Sequence, residues 1–239
     1  MKTPELILQR INSIKSGIIF TYTDLQIPQE LIAATAMSLS RMVMEGKLKK
    51  IGKGKFYKPS YTRLGEMRPI LDEVAKDFLV KDGKIVGYIT GVPAFAQLGL
   101  TTQITSDIVI GSNNYRRPLE RCGYKISFVR QNNKITEDNI PLLRFLDALQ
   151  SIKKIPACTP NYAIQILLRK LFSFKREERV TLKKLALNYT ASTRALLGAM
   201  LETKELDVEE LKKTLNPLTK YKLNISERIL PNKSNWHII

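Results

Sequence analysis

An α+β fold in two parts is what this sequence predicts: a small helix-and-hairpin head over residues 1–62, and a larger mixed α/β body over 67–239 whose C-terminal part is mostly helical. Three observations carry that reading. Apolar residues recur at helical spacing before Gly46 and then alternate with lysines around a Gly-x-Gly turn. PSYTRLGEMRP, residues 59–69, is polar with a proline near each end and reads as a linker. Beyond it, short strand-like runs give way after Asn139 to a series of helical patterns.

Thr3-Pro4-Glu5 suits a helix start, since Thr caps, Pro fits the first turn and Glu complements the dipole. Leu6, Ile7, Ile11 and Ile14 continue the stripe to Gly17. IIFTYTDLQIP reads as apolar and then turn-like, with a weak capping box, Thr21-x-x-Asp24, and room for one very short helix. From Gln29 to Glu45 a longer helix is expected, with Ile32, Ala36, Leu39 and Val43 inward and Ala34, Ser38 and Arg41 on the opposite face. Lys47-Leu48-Lys49-Lys50-Ile51, Gly52-Lys53-Gly54 and Lys55-Phe56-Tyr57-Lys58 then predict a β-hairpin. Helix, short helix, long helix and hairpin in that order spell a winged helix-turn-helix, whose second helix enters the major groove.

In the body, Ile70, Leu71, Val74 and Phe78 keep helical spacing, and Asp82-Gly83 marks a turn before the strand-like KIVGYIT. GVPAFAQLGLTTQ predicts a short helix ended by Gly99. DIVIG (107–111) and YKISFVR (124–130) read as strands, while the three arginines of YRRPLERCG between them suggest exposure. Helical segments follow at 139–149, 161–172, 178–188, 192–201 and 208–215, with a further strand expected at 221–225.

Charge is the strongest functional signal. The net charge of +17 and pI near 9.9 favour nucleic acid or an anionic surface as partner, although lysine-rich solvated faces would give the same total. Within residues 41–58, Arg41, Lys47, Lys49, Lys50, Lys53, Lys55 and Lys58 face one acid, Glu45. Lysine is a mobile point charge suited to phosphates, and the forked guanidinium of Arg41 is better suited to a base edge. Ala34, Ser38, Arg41 and these six lysines are therefore the candidate duplex-DNA contacts, against a plainer reading in which the head serves protein contacts only. A second cluster, Arg169, Lys170, Lys175, Arg176, Arg179, Lys183 and Lys184, fits solvated helix ends at least as well as a binding patch.

Catalytic chemistry is not legible. The only histidine, His237, sits near the end and reads as solvated, which removes most histidine catalysis and zinc sites. Cys122 and Cys158 have neither metal-ligand spacing nor a histidine to activate them. Asp107 lacks a second carboxylate for Mg²⁺, Glu202-x-Lys204 has chance spacing at a helix end, and Gly52-Lys53-Gly54 is not a phosphate loop. No cofactor and no metal are expected. With no secretory signal and no apolar run near the ~20 residues of a membrane span, a cytoplasmic chain with reduced thiols and no membrane partner is expected.

SLSRMVMEGKLKKIGKGKFYKP (38–59), YITGVPAFAQLGLTTQ (88–103) and ALNYTASTRALLGAMLE (186–202), in that order, resemble the AbiEi family of bacterial type IV antitoxins of abortive-infection systems and their transcriptional-regulator relatives, over about residues 5–225. The family's last motif carries Tyr-Pro-Pro before Arg-Ala-Leu-Leu-Gly; here Thr190 and Ala191 follow Tyr189, which puts that local turn in question. The resemblance implies a winged helix that binds inverted repeats in its own promoter. It also implies a C-terminal domain that counteracts a neighbouring nucleotidyltransferase-like toxin without a stable complex, for which Arg169, Lys170, Lys175, Arg176, Arg179 and Lys183 are a candidate surface. The rival readings are a stand-alone regulator whose body senses a ligand or dimerises, and a degenerate nuclease.

The nuclease reading has a direct test. Purified protein with Mg²⁺ or Mn²⁺ should leave single- and double-stranded DNA and RNA intact on a denaturing gel; cleavage that disappears in Asp107→Ala would establish the enzyme instead.

Overall fold

The computed structural model describes residues 3–63 and 65–239, the side chains of Thr3 and Pro4 excepted, so the helix-starting roles read for those two side chains lie outside the described residues. The protein is mixed α+β. Among the described residues no helix is long and apolar enough to cross a membrane, and Cys122 and Cys158 are free thiols.

α1 (Thr3–Ser13) turns Ile7 and Ile11 inward. β1 (Ile19–Thr21) follows, in the apolar stretch to which the sequence reading assigns no strand. Asp24 explains the local path: its carboxylate accepts from the Thr21 N–H at 2.7 Å and the Thr21 hydroxyl at 2.8 Å, leaving one 3₁₀ turn, Thr23–Leu25. A second 3₁₀ turn, Gln29–Leu31, leads into α2 (Ile32–Met44). β2 (Lys49–Gly52) and β3 (Lys55–Tyr57) form a hairpin around Lys53. Gly54 adopts φ +67, and a Cβ there would meet the Tyr22 ring at 3.3 Å, so this turn requires glycine.

The segment expected to be a linker is structured. β4 (Ser60–Thr62) pairs with β5 (Gly65–Met67) in a second hairpin, and α3 (Leu71–Leu79) follows. Short β6 (Val80–Lys81) and β7 (Lys84–Ile85) flank the Asp82-Gly83 turn. β8 (Gly87–Thr90), α4 (Val92–Gln97), β9 (Asp107–Ser112), β10 (Leu119–Arg121) and β11 (Tyr124–Arg130) come next. The helical region comprises α5 (Ile140–Gln150), α6 (Pro160–Ser173), α7 (Arg176–Ala186), α8 (Ala191–Glu202) and the short α9 (Glu209–Lys213). The strand expected at 221–225 reduces to one bridge, Tyr221 to Ile238. His237, expected in solvent, is half-buried in a left-handed conformation, and its carbonyl accepts from the Tyr221 N–H at 2.7 Å.

Compactness divides the chain into two units, Met1–Asp77 with Leu119–Ile126, and Phe78–Pro118 with Ser127–Ile239, in place of the expected 1–62 and 67–239. In the first unit β3 is the central strand of an antiparallel sheet, with β1 on one side and β2 on the other. Ile7, Ile11, Phe20, Leu25, Leu39, Leu48 and Phe56 form its core. Polar contacts explain why this unit extends past residue 62 and recruits a later segment. Glu73 accepts from the Ile19 N–H at 3.1 Å. Arg121 donates to Asp77 at 2.6 Å and to the Val74 carbonyl at 2.9 Å; Arg68 donates to the Gly123 carbonyl at 3.1 Å. Arg121, expected to be exposed, is thereby drawn inward.

In the second unit β8 and β9 pair antiparallel, Tyr88 opposite Gly111 and Ile89 opposite Ile110. A large apolar core gathers Leu142, Leu143, Phe145, Leu146 and Leu149 of α5 with Ile164, Leu167 and Leu171 of α6 and Leu196, Leu197 and Met200 of α8. Inside this unit a polar network stands beside that core. The Asp147 carboxylate accepts from the hydroxyls of Tyr88 (2.8 Å), Thr90 (2.7 Å) and Tyr189 (2.7 Å). The Gln131 amide donates to both tyrosine oxygens at 2.9 Å. Asn133 donates to the Leu185 carbonyl at 3.0 Å and accepts from Asn188 at 2.7 Å. Burial raises Asp147 above the ordinary aspartate value, and burial and the nearby Asp147 charge push both tyrosines up.

The turn in question after Tyr189 closes without prolines. The Thr190 hydroxyl caps α8, accepting from the Thr193 N–H, and Arg194 donates to the Tyr189 carbonyl at 2.6 Å. Further along α8, Glu202 has a structural role. It accepts from the indole N–H of Trp236 at 2.9 Å and from Asn232 at 2.5 Å, fixing the C-terminal segment. Burial raises its carboxyl, but these hydrogen bonds outweigh that and hold it below the ordinary glutamate value.

Trp236 is fully buried and lies directly over Gly198, where a Cβ would fall 2.1 Å from the ring. Alanine in place of a helical glycine ordinarily stabilises by about 0.5–1 kcal/mol. Here overpacking reverses the sign, and Gly198→Ala should cost about 1–3 kcal/mol. Trp236 is the only tryptophan, so urea unfolding followed by its fluorescence reads the change directly. A midpoint equal to or above wild type would show that the tail does not depend on this seat.

Candidate nucleic-acid interface

α2 buries part of the face its apolar pattern suggests, Leu39 and Val43 among it, but not Ile32. Thr35 and Leu39 are fully buried, with Met42 and Val43 packed beside them, while Ile32 is 45% exposed. Thr35 tolerates burial because its hydroxyl donates to the Leu31 carbonyl at 2.8 Å. The helix is thus rotated from expectation. Ala34, Met37, Arg41 and Met44, three or four residues apart, form an exposed stripe, and Ser38 is a half-buried shoulder. Met37 and Met44, which the sequence reading placed on neither face, are 71% and 80% exposed.

The basic hairpin is less uniform than its sequence. Lys47 pairs with Glu45 at 2.7 Å and Lys49 with Glu66 at 2.5 Å, while Lys55 is hydrogen-bonded to Asp77. Lys58 donates to the Asn12 carbonyl at 3.3 Å. Glu66 also accepts from Tyr57 at 3.2 Å. Only Glu45 lies close to the hairpin in sequence; Glu66 and Asp77 arrive through β5 and α3. Lys50 and Lys53 are exposed and have no acidic partner among the described residues, and Arg41 makes no ion pair there.

The electrostatics follow the geometry. The hydrogen bond and charge of Lys47, with a smaller contribution from Arg41, lower Glu45, and the Lys49 hydrogen bond lowers Glu66. Lys49 is correspondingly raised by Glu66. Burial pushes Asp77 up, but its bonds to Arg121 and Lys55 outweigh that and leave it below the ordinary aspartate range. A cleft of about 530 Å³ opens alongside, with Lys49, Lys50, Arg68 and Arg121 as its cations and Glu66 and Glu120 as its acids. Arg68 and Arg121 are additions the sequence does not flag. The exposed cations of this unit can hold phosphates, and the α2 stripe offers small and flexible side chains with one guanidinium.

The second basic cluster runs from the end of α6 along α7 to its last turn, in the other unit. It is not one free patch. Arg179 donates to the Phe174 carbonyl at 2.6 Å and Lys183 to the Asp207 carboxylate at 3.0 Å, while Lys170 lies 5.4 Å from the Phe174 ring centre. Arg169, Lys170, Lys175, Arg176 and Lys184 are exposed. Among the described residues no group of histidine, cysteine and acidic side chains is arranged to hold a metal.

The model of DUF6088, a family of unknown function, matches residues 6–173. Comparison with curated proteins gives no match. Among solved structures, the crystal structure of the RV2827C protein from Mycobacterium tuberculosis is similar, with a TM-score of 0.52 at 14% identity, covering 90% of this chain and 82% of that one. Likeness at that identity concerns the fold.

The two kinds of hairpin lysine should separate in stability. Lys55→Glu sets a second carboxylate against the half-buried Asp77 and should destabilise the protein by about 1–3 kcal/mol. Lys50→Glu and Lys53→Glu should stay within about 0.5 kcal/mol of wild type. Urea denaturation followed by circular dichroism compares them; equal costs would mean that the Lys55–Asp77 pair does not organise this unit.

Proposed function

We propose that this chain, which belongs to the DUF6088 family, is a duplex-DNA-binding antitoxin. Its first unit acts as a winged helix on an inverted-repeat operator and represses its own operon. Its second unit counteracts a nucleotidyltransferase-like toxin encoded next door, without a stable complex.

The observation that carries the DNA half is the exposed α2 stripe around Arg41 in the same small unit as a hairpin that leaves Lys50 and Lys53 uncommitted. α2 takes the place of a reading helix and β2–β3 that of the wing. Lys50 and Lys53 serve as backbone contacts and Arg41 as the base contact, whereas Lys49 and Lys55 chiefly hold the wing to Glu66 and Asp77. The antitoxin half rests on the resemblance of the three sequence motifs to AbiEi proteins. No catalytic role is assigned. A stand-alone regulator whose second unit takes a ligand is the alternative, and the cavity beside Asp147 favours it specifically.

Gel shifts over a salt series test the first unit. Lys50→Glu with Lys53→Glu should weaken binding to all duplexes alike and reduce the log–log salt slope by about 0.9 for each phosphate no longer neutralised. Arg41→Ala should relax sequence preference by about 1–3 kcal/mol in selection from a random duplex pool. Co-expression with the adjacent gene product tests the second unit: the lysine double variant should lose promoter repression and still rescue growth. Loss of rescue at normal protein levels would tie neutralisation to DNA binding and overturn the two-function reading.

A further inference from the structure

The second unit contains a cavity of about 400 Å³, within the range of small-molecule sites, roughly 300–1,000 Å³. Asp147 stands on its floor, deep among protein atoms yet with a face open to the cavity. A carboxylate offers roughly four acceptor positions. The hydroxyls of Tyr88, Thr90 and Tyr189 take three. Both tyrosine hydroxyls already donate to Asp147 and accept from Gln131, so the floor presents an open acceptor and few free donors. An occupant must bring an N–H or O–H.

The rim has the opposite character. Arg130 and Lys154 are exposed and line the cavity, and their side chains make no ion pair or hydrogen bond among the described residues. Val109 and Val129 supply apolar lining. A donor edge facing the carboxylate, a flat body against the valines and an anion at the rim describe one ligand class. We propose that this cavity binds a nucleoside phosphate, with the base amino group on Asp147 and the phosphate between Arg130 and Lys154. The same chemistry is available from a free nucleotide or from the terminal nucleotide of a single strand. Uridine should rank last, because two carbonyls flank its N3–H and would face the carboxylate. The site draws only on residues of the second unit and does not depend on the duplex-binding reading.

Isothermal titration calorimetry of the full chain with AMP, CMP, GMP, UMP, the parent nucleosides, inorganic phosphate and a 5′-phosphorylated single-stranded hexanucleotide tests the proposal. An amino-bearing nucleotide should bind at least about tenfold more tightly than UMP, its nucleoside or phosphate alone. Arg130→Ala with Lys154→Ala should weaken the nucleotide about tenfold or more and leave the nucleoside unchanged. Val129→Trp, at a position 44% exposed and therefore tolerant of bulk, should close the cavity and abolish binding without unfolding the protein. Binding of the hexanucleotide alone, abolished in Val129→Trp, would support the site with a strand end as its source. Binding by none of these compounds at millimolar concentration, or binding indifferent to both variants, would overturn the proposal. The Lys50→Glu, Lys53→Glu variant should keep nucleotide affinity while losing duplex binding, so failure of either reading is seen separately.

Discussion

Asp147 is the point around which the second unit is organised. A carboxylate placed beside an apolar core is costly, and hydrogen bonds to a charged group, about 1.5–3 kcal/mol each, are what offset it. Its three donors come from β8, which contributes Tyr88 and Thr90, and from the turn before α8, which contributes Tyr189. Gln131 and Asn133 extend the same network to α7. Elements from distant parts of the chain are thus held in one register by a charge that must be satisfied. The raised Asp147 value is the outcome of that contest, with burial still outweighing the hydroxyls.

The network also gives physical content to two of the sequence motifs. Tyr88 and Thr90 open YITGVPAFAQLGLTTQ, and Tyr189 lies in ALNYTASTRALLGAMLE. The second of these motifs has further structural roles along α8, with Arg194 on the turn carbonyls, Gly198 under the indole and Glu202 on its N–H. Each of these residue types answers a local requirement: a fork of donors, a missing Cβ and an acceptor.

In the first unit the decisive constraint is electrostatic. Seven basic residues between 41 and 58 would repel one another if left alone. Glu66 and Asp77 are brought against the hairpin and take Lys49 and Lys55. Arg121 joins Asp77 from a segment distant in sequence, which is why residues 119–126 belong to this unit. Exposed ion pairs contribute only about 0–1 kcal/mol, so their greater effect is on which cations stay available: Lys50, Lys53 and Arg41.

By itself the sequence determined the long helix followed by the hairpin with its Gly-Lys-Gly turn, the helical character after Asn139 and the basic surplus, because periodicity, turn chemistry and charge are properties of short windows. It misread the linker, the exposure of Arg121 and the rotation of α2, because those depend on partners arriving from other elements. A lysine looks the same in sequence whether or not an acid will reach it. Asp147, an ordinary acid in an amphipathic helix, gave no sign of its three hydroxyls, which lie 42 to 59 residues away along the chain. Tertiary structure alone decided which charges are neutralised and which polar groups converge on a cavity, since both are questions of distance in space.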